Sequence, residues 1–205
     1  MNDLTLREKE RIKRRRQILA AARRVFTKRG FYKSTLIEIA REAHLGKTTL
    51  YWYFSDKTHL LRAVFEDAID EQLMTIRRII DEVPDCRSRV EAIAREQLGH
   101  FAKNQFLLRI HGSEVGFPTE EMKKDLRRFL MHKYALSIEL LEKVFAAGVK
   151  NAEIRKIDVG RMSHLLIAML HSIAWYWHLR GVKPRPREEA RQICDMIFEG
   201  LRKGR

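Results

Sequence analysis

An all-α chain of two domains is predicted by three features of the 205-residue sequence. Apolar residues recur at three- and four-residue spacing in segment after segment, the signature of helices that each bury one face. The ten glycines are scattered at the ends of those segments, and Pro84, Pro184 and Pro186 stand between them, where helices stop. Near the N-terminus the stretch Ser34–Lys57, STLIEIAREAHLGKTTLYWYFSDK, divides into a short helix, a tight turn, a second short helix and the start of a third. No repeat and no low-complexity linker interrupts the series.

The first helix is expected from about Lys9 to Lys28, with Ile18, Ala21, Ala22, Val25 and Phe26 as its apolar stripe and Gly30 as its stop. In the next, Thr35-Leu36-Ile37-Glu38 fits a capping box. The Thr35 hydroxyl accepts from the backbone N–H three residues on, and Glu38 reaches back. Leu36, Ile39, Ala40 and Ala43 share one face. Ala43-His44-Leu45-Gly46 is the turn, and Lys47 to about Tyr53 the following helix.

Two helices joined by a turn of about four residues form a helix-turn-helix, whose second helix fits a DNA major groove. Leu50 and Phe54, four apart, point inward. The remaining residues, Lys47, Thr48, Thr49, Tyr51, Trp52 and Tyr53, offer an ammonium, hydroxyls and rings, with no carboxylate among them. Such groups suit phosphates, base edges and thymine methyls. The plainer alternative, that Tyr51, Trp52 and Tyr53 only cement the small domain, is strongest for Tyr53.

From about Arg16 to Leu61 the chain resembles the DNA-binding domain of TetR-type transcriptional regulators. The matching pieces are RQILAAARRVFTKRGF, STLIEIAREA and KTTLYWYFSDKTHLL, with Ile39-Ala40, Thr49 to Phe54 and Lys57 in the family's order. Two residues depart from the pattern. His44 stands where the turn glycine is usual, and Gly46 where a serine often caps the recognition helix. Histidine is among the better non-glycine residues at positive φ, and glycine caps nearly as well as serine. With helix position, the resemblance implies that Thr35, Lys47, Tyr51, Tyr53 and Lys57 hold phosphates, while Thr48, Thr49 and Trp52 meet base edges or methyls.

Charge agrees with that division. Residues 1–60 hold 15 Lys and Arg against 6 Asp and Glu, a net of +9, whereas residues 61–205 hold 26 against 21, a net of +5. A basic excess concentrated on one small module is the footprint of phosphate binding. The first turns of the first helix are the most basic, and are read either as approaching a DNA backbone or minor groove or as a solvated helix start. Cys86 and Cys194 make no disulfide framework, and the charged N-terminus is unlike a signal peptide, so the cytoplasm is expected. Met162–Leu179 lacks Asp, Glu, Lys and Arg, but its serines, histidine and aromatic residues point to a buried helix, not a membrane span.

The helix-turn-helix domain is therefore taken as residues 1–56, and residues 57–205 as a helical effector-binding and dimerisation domain. A helix starting at Ser55-Asp56 and ended by Pro84 carries Leu60, Leu61, Val64, Phe65, Ala68, Ile69, Leu73, Ile76 and Ile79. With Lys57 and free N–H groups at its start facing a phosphate, it would couple the two domains. Next come a helix from about Arg87 to Lys103, a shorter one over Phe106–His111, and a loop over Gly112–Pro118. Thr119 is read as capping a long helix closed by Gly148, and Asp158 as capping one that ends at Gly181. The last runs from about Arg187 to Leu201, with Ala190, Ile193, Cys194, Ile197, Phe198 and Leu201 inward.

Helix 158–181 is apolar nearly all round, which suggests that it and helix 187–201 pair with their copies in a two-fold dimer; the resemblance implies the same. Two-fold symmetry predicts a palindromic operator in double-stranded DNA. A small-molecule effector, lipophilic or anionic, is expected in the second domain, without assigned residues. Trp175, Tyr176, Trp177, Phe101, Phe106, Phe129 and Met131 are candidates for its lining or plain core. His164, His171 and His178 recur every seven residues, about 10 Å apart, too far for neighbours to share one ion. No metal, cofactor, membrane partner or enzymatic activity is expected, because no nucleophile motif, phosphate loop or paired carboxylate appears. Cys86 near Lys and Arg leaves a redox role as a minor alternative. Two rival readings remain: a same-fold DNA-binding protein such as a nucleoid or division factor, and an interaction protein with a vestigial helix-turn-helix.

Overall fold

The computed structural model describes residues 5–104 and 120–200, which divide into two compact units, Met1–Ile69 and Asp70–Arg205. The described residues form eight helices and no strand. The expected helix at 106–111, the loop at 112–118, the Thr119 cap, Phe106 and Leu201 lie outside the described residues.

In the first unit, α1 (Leu6–Lys33) begins a turn earlier than its apolar pattern suggests. Thr5 and Glu8 form a capping box: the Thr5 hydroxyl accepts the Glu8 N–H at 3.3 Å and Glu8 accepts the Thr5 N–H at 2.8 Å. Ile18, Leu19, Ala21, Ala22, Val25 and Phe26 are its buried stripe. Gly30, at φ 76° and ψ 163°, breaks the helix, and the backbone then makes one further turn before Ser34.

The second helix, α2 (Leu36–Glu42), starts on the Thr35–Glu38 capping box as read from sequence. It ends in a Schellman motif. The Leu45 N–H reaches the Ala40 carbonyl at 2.9 Å and the His44 N–H reaches Arg41 at 3.0 Å, with His44 left-handed at φ 52°. That closure makes the tight turn into α3 (Lys47–Tyr53), which Gly46 precedes without a side-chain cap. Leu50 and Phe54 are buried, as their spacing requires.

The fourth helix, α4 (Lys57–Glu82), contains the division between the units. Leu60, Leu61, Val64, Phe65 and Ala68 belong to the core of the first, and Leu73, Ile76 and Ile79 to that of the second.

In the second unit, α5 (Cys86–Lys103) is capped by Asp85, which accepts the Ser88 N–H at 2.9 Å. It packs against α6 (Glu120–Lys150), α7 (Val159–Arg180) and most extensively α8 (Pro186–Gly200), while α6 also packs on α7. Asp158 caps α7, and Gly181, left-handed at φ 62°, ends it, both as expected. The core joins Val90, Ile93 and Leu98 to Leu141, Val144 and Phe145, Leu166, Leu170 and Trp177, and Ile193 and Phe198.

Gly148 does not close α6. The helix continues to Lys150 and ends in a second Schellman motif, with Glu153 N–H to the Gly148 carbonyl at 2.9 Å and left-handed Ala152 at φ 58°. Gly148 is there for space: a Cβ on it would lie 2.6 Å from Cys86 Sγ. No helix among the described residues is long and apolar enough to cross a membrane.

Candidate nucleic-acid interface

One face of α3 is sunk in the core through Leu50, and the other is presented outward. Lys47 and Thr48 are exposed, Thr49 is half-buried, Tyr51 is 44% exposed and Trp52 is 71% exposed. The Lys47 ammonium lies 5.6 Å from the Tyr51 ring centre, so the charge rides on the ring. Trp52 stands edge-on to Tyr53 with centroids 4.8 Å apart, and Tyr53 in turn leans on Phe54. Tyr53 is half-buried, and its ring backs Trp52. An exposed tryptophan backed by a second ring, beside an ammonium and hydroxyls, is a rigid surface for a base edge or sugar–phosphate partner.

Thr35 is the N-cap of α2, and its hydroxyl is engaged there. It accepts the Glu38 N–H at 3.2 Å and contacts Glu38 Oε2 at 3.2 Å. The Thr35 backbone N–H, aided by the nearby Arg29 charge, holds the Glu38 pKa below its ordinary value. Arg29 and Glu38 form an ion pair across α1 and α2.

Lys57 corrects the sequence reading. Its ammonium does not face outward for a phosphate; it donates to the carbonyls of Phe31 at 2.7 Å, Ser34 at 2.8 Å and Tyr32 at 3.2 Å. It also lies 4.5 Å from the Phe31 ring centre. Burial draws its pKa down, and the Glu38 charge opposes that. The start of α4 is not open either, because Asp56 accepts the His59 N–H at 2.8 Å and places a carboxylate there. The physical reason is that Gly30 leaves carbonyls at the end of α1 without helical partners, and a cation is the fitting donor.

Sequence reasoning missed two residues that set this surface. The Gln17 amide donates to the Ala43 carbonyl at 2.6 Å, pinning α1 to the turn. The Arg15 guanidinium lies 5.8 Å from the Phe54 ring centre at the end of α3. Neither leaves a local signal, since both partners are distant in sequence. Tyr32 and Ile37 are also exposed apolar side chains near the start of α2. A groove of about 380 Å³ between α1 and α2 is lined by Lys28, Arg29, Arg41 and His44 but also by Glu38 and Glu42, so its charges largely cancel.

Residues 18–64 match the family described as bacterial regulatory proteins, tetR family. The HTH-type transcriptional regulator HbdR of Aromatoleum sp. (strain CIB) is 37% identical over 68 residues, 33% of this chain and 30% of that protein. The HTH-type transcriptional repressor KstR2 of Rhodococcus jostii is 24% identical over 192 residues, 92% of this chain and 91% of the other. The family match is thus carried by the helix-turn-helix module, residues 18–64. The fold of the transcriptional regulator FadR from Bacillus subtilis, solved in complex with stearoyl-CoA, superposes with a TM-score of 0.72 at 18% identity, covering 91% of this chain and 98% of that one.

In the second unit, each histidine of the seven-residue stripe meets a ring. His164 faces Tyr134, His171 faces Phe101, and His178 faces Trp175, with centroids 5.8, 5.1 and 5.7 Å apart. Among the described residues no group of three or more His, Cys, Asp or Glu side chains could hold a metal ion. Cys86 does not carry the lowered pKa that a reactive thiol needs. Burial first, then Glu153 and Asp85, push it up to about 12, and burial and Glu91 push Cys194 up to about 12. Of the aromatic candidates for an effector lining, Trp177 is buried, whereas Tyr176 and Met131 are exposed.

Proposed function

We propose that this chain is a TetR-type transcriptional regulator, a homodimeric repressor that binds a palindromic operator and is released by a small lipophilic or anionic effector. The observation that carries the DNA reading is the outward face of α3, where Lys47, Thr48, Tyr51 and Trp52 stand together without a carboxylate. Lys47, Tyr51 and Tyr53, with Thr35 at the start of α2, are assigned to phosphates. Thr48, Thr49 and Trp52 are assigned to base edges and methyls. Lys57 is assigned to holding the corner between α1 and α2.

Dimerisation is supported by exposed apolar side chains at helical spacing. Leu165, Tyr176 and Leu179 lie along α7, and Met196 lies on α8. Pairing these helices with their copies would bury that surface and give the two recognition helices two-fold symmetry. Repression is supported by the relative named as a repressor, whose alignment runs nearly the full length of both chains. The effector class is supported by the fold neighbour solved with stearoyl-CoA, a ligand both lipophilic and anionic. In this reading the ligand acts through α4, which runs from the first unit into the second.

The test is selection of bound sequences from a random duplex pool, repeated with a long-chain acyl-CoA. An enriched palindrome that is lost with acyl-CoA supports the whole reading. A palindrome indifferent to acyl-CoA and to free fatty acids rejects the effector class. Absence of enrichment at low and moderate salt rejects the assignment of the α3 face.

A further inference from the structure

The first turns of α1 pose a physical problem. From Leu6 to Gln17 every residue is exposed except half-buried Ile12, and the first fully buried side chain is Ile18. Short helices without a packed face are marginal in water. Yet this arm is closed by the Thr5–Glu8 capping box and braced by the Arg14–Glu10 pair at 3.0 Å. Its seven Lys and Arg face only two Glu, and both glutamates are already engaged, one in the cap and one with Arg14. Arg7, Lys13 and Arg16 are exposed and have no ion pair among the described residues.

The root of the arm fixes where that charge is held. Gln17 is bonded to Ala43 in the turn, and Arg15 lies over Phe54 at the end of α3. The root of the arm is therefore fixed between the start of the turn and the C-terminal end of the recognition helix. At about 1.5 Å per residue, Leu6–Arg16 spans roughly 16 Å. B-DNA presents one phosphate per ~3.4 Å of axis on each strand, so the arm matches about five phosphates.

We propose that Leu6–Arg16 of α1 lies along the DNA phosphate backbone beyond the base pairs that α3 covers, with Lys13 and Arg16, three residues apart on one face, as phosphate ligands. It extends the operator contact without reading sequence. The inference rests on α3 being the recognition helix, and its test separates the two. The full-length chain and a Lys13→Gln, Arg16→Gln variant are titrated over a range of salt. The probes are the selected palindrome, once trimmed to its edges and once with about one helical turn of flanking duplex on each side.

The expected result has three parts. The wild-type chain binds the flanked duplex more tightly than the trimmed one. The variant loses that difference, binds the flanked duplex roughly tenfold or more weakly at moderate salt, and its log–log salt slope falls by about 0.9 for each phosphate released. A Lys13→Arg, Arg16→Lys variant keeps the slope. Circular dichroism of all three chains is unchanged, which separates lost contacts from a lost helix. Equal slopes and equal flank effects for wild type and the glutamine variant would overturn the arm while leaving α3 in place. Equal DNA binding with lost adsorption to anionic vesicles would overturn it in favour of a membrane surface. Failure of the wild-type chain to select any duplex would instead overturn the reading of α3, and the arm with it.

Discussion

Lys57 Nζ stands 2.7 Å from the carbonyl oxygen of Phe31, so the first residue of α4 closes the broken end of α1. The same ammonium reaches Ser34, the residue before the α2 cap, at 2.8 Å. One cation thus ties three helices at the corner where the helix-turn-helix begins. Replacing Lys57 with Met should lower the stability of the protein by about 1–3 kcal/mol, the usual cost of stranding such acceptors. Denaturant titration measures this. Unchanged stability with weakened operator binding would return Lys57 to the phosphate role expected of it from sequence.

Tyr51 and Trp52 should separate binding from folding. Both are exposed on α3, and neither fills the core, so Tyr51→Ala and Trp52→Ala should leave the thermal midpoint almost unchanged. Operator affinity should fall at least tenfold for each, about 1.4 kcal/mol. The comparison is a binding titration beside a melting curve. Retained affinity in either variant removes that residue from the interface.

Acid should unfold the cap of α2 in a defined direction. The Thr35 backbone N–H holds the folded Glu38 pKa below its ordinary 4.5. A depressed carboxylate pKa contributes stability that is present above the unfolded value and is lost as pH falls through the folded one. Glu38→Gln should therefore be less stable than wild type near neutrality and converge with it as pH falls below 4.5 and through the depressed folded value. A gap that stays constant with pH would mean that the charge is not what the cap uses.

The end of α6 should respond in opposite senses to two substitutions. Ala152 is left-handed at φ 58°, so Ala152→Gly should stabilise by about 1 kcal/mol. Gly148→Ala puts a methyl 2.6 Å from Cys86 Sγ and should destabilise by roughly 1–3 kcal/mol. Pairing it with Cys86→Ala should recover part of the loss. Without that recovery, the contact named here is not the cause.

The two thiols should be silent in the native protein. With Cys86 and Cys194 at about 12, a thiol reagent at pH 8 should leave both unmodified until denaturant is added. Because these pKa values are raised above 9.0, their contribution to stability is intact below that value and declines as pH rises toward 12. Rapid native labelling of Cys86 would revive a sensing role.

The helix-turn-helix was legible because its signals are local. A threonine three residues before a glutamate, a histidine able to take positive φ, and Leu50 four residues before Phe54 each act within one or two turns of backbone. The same holds for Asp158 and Gly181 at the two ends of α7. The Thr5–Glu8 box is equally local, but no apolar stripe follows it until Ile18, so periodicity placed the start of α1 too late. Gly148 misled for the converse reason. A glycine near a helix end usually marks the stop, and only the nearness of Cys86 shows that it serves close approach.

The sequence by itself determined the all-α class, the placement of the helix-turn-helix, and a recognition helix with one face of hydroxyls, rings and an ammonium. Those follow from spacing and capping, which act between neighbours along the chain. Only the tertiary structure decided that Lys57 turns inward to the Phe31 carbonyl, that Arg15 and Gln17 root a basic arm beside α3, and that Cys86 is a buried thiol. In each case the partner lies far away in sequence. A charged or polar side chain carries no local mark of whether water, a carbonyl or a phosphate will satisfy it. That choice is made when packing removes water from one side and leaves a particular acceptor within reach.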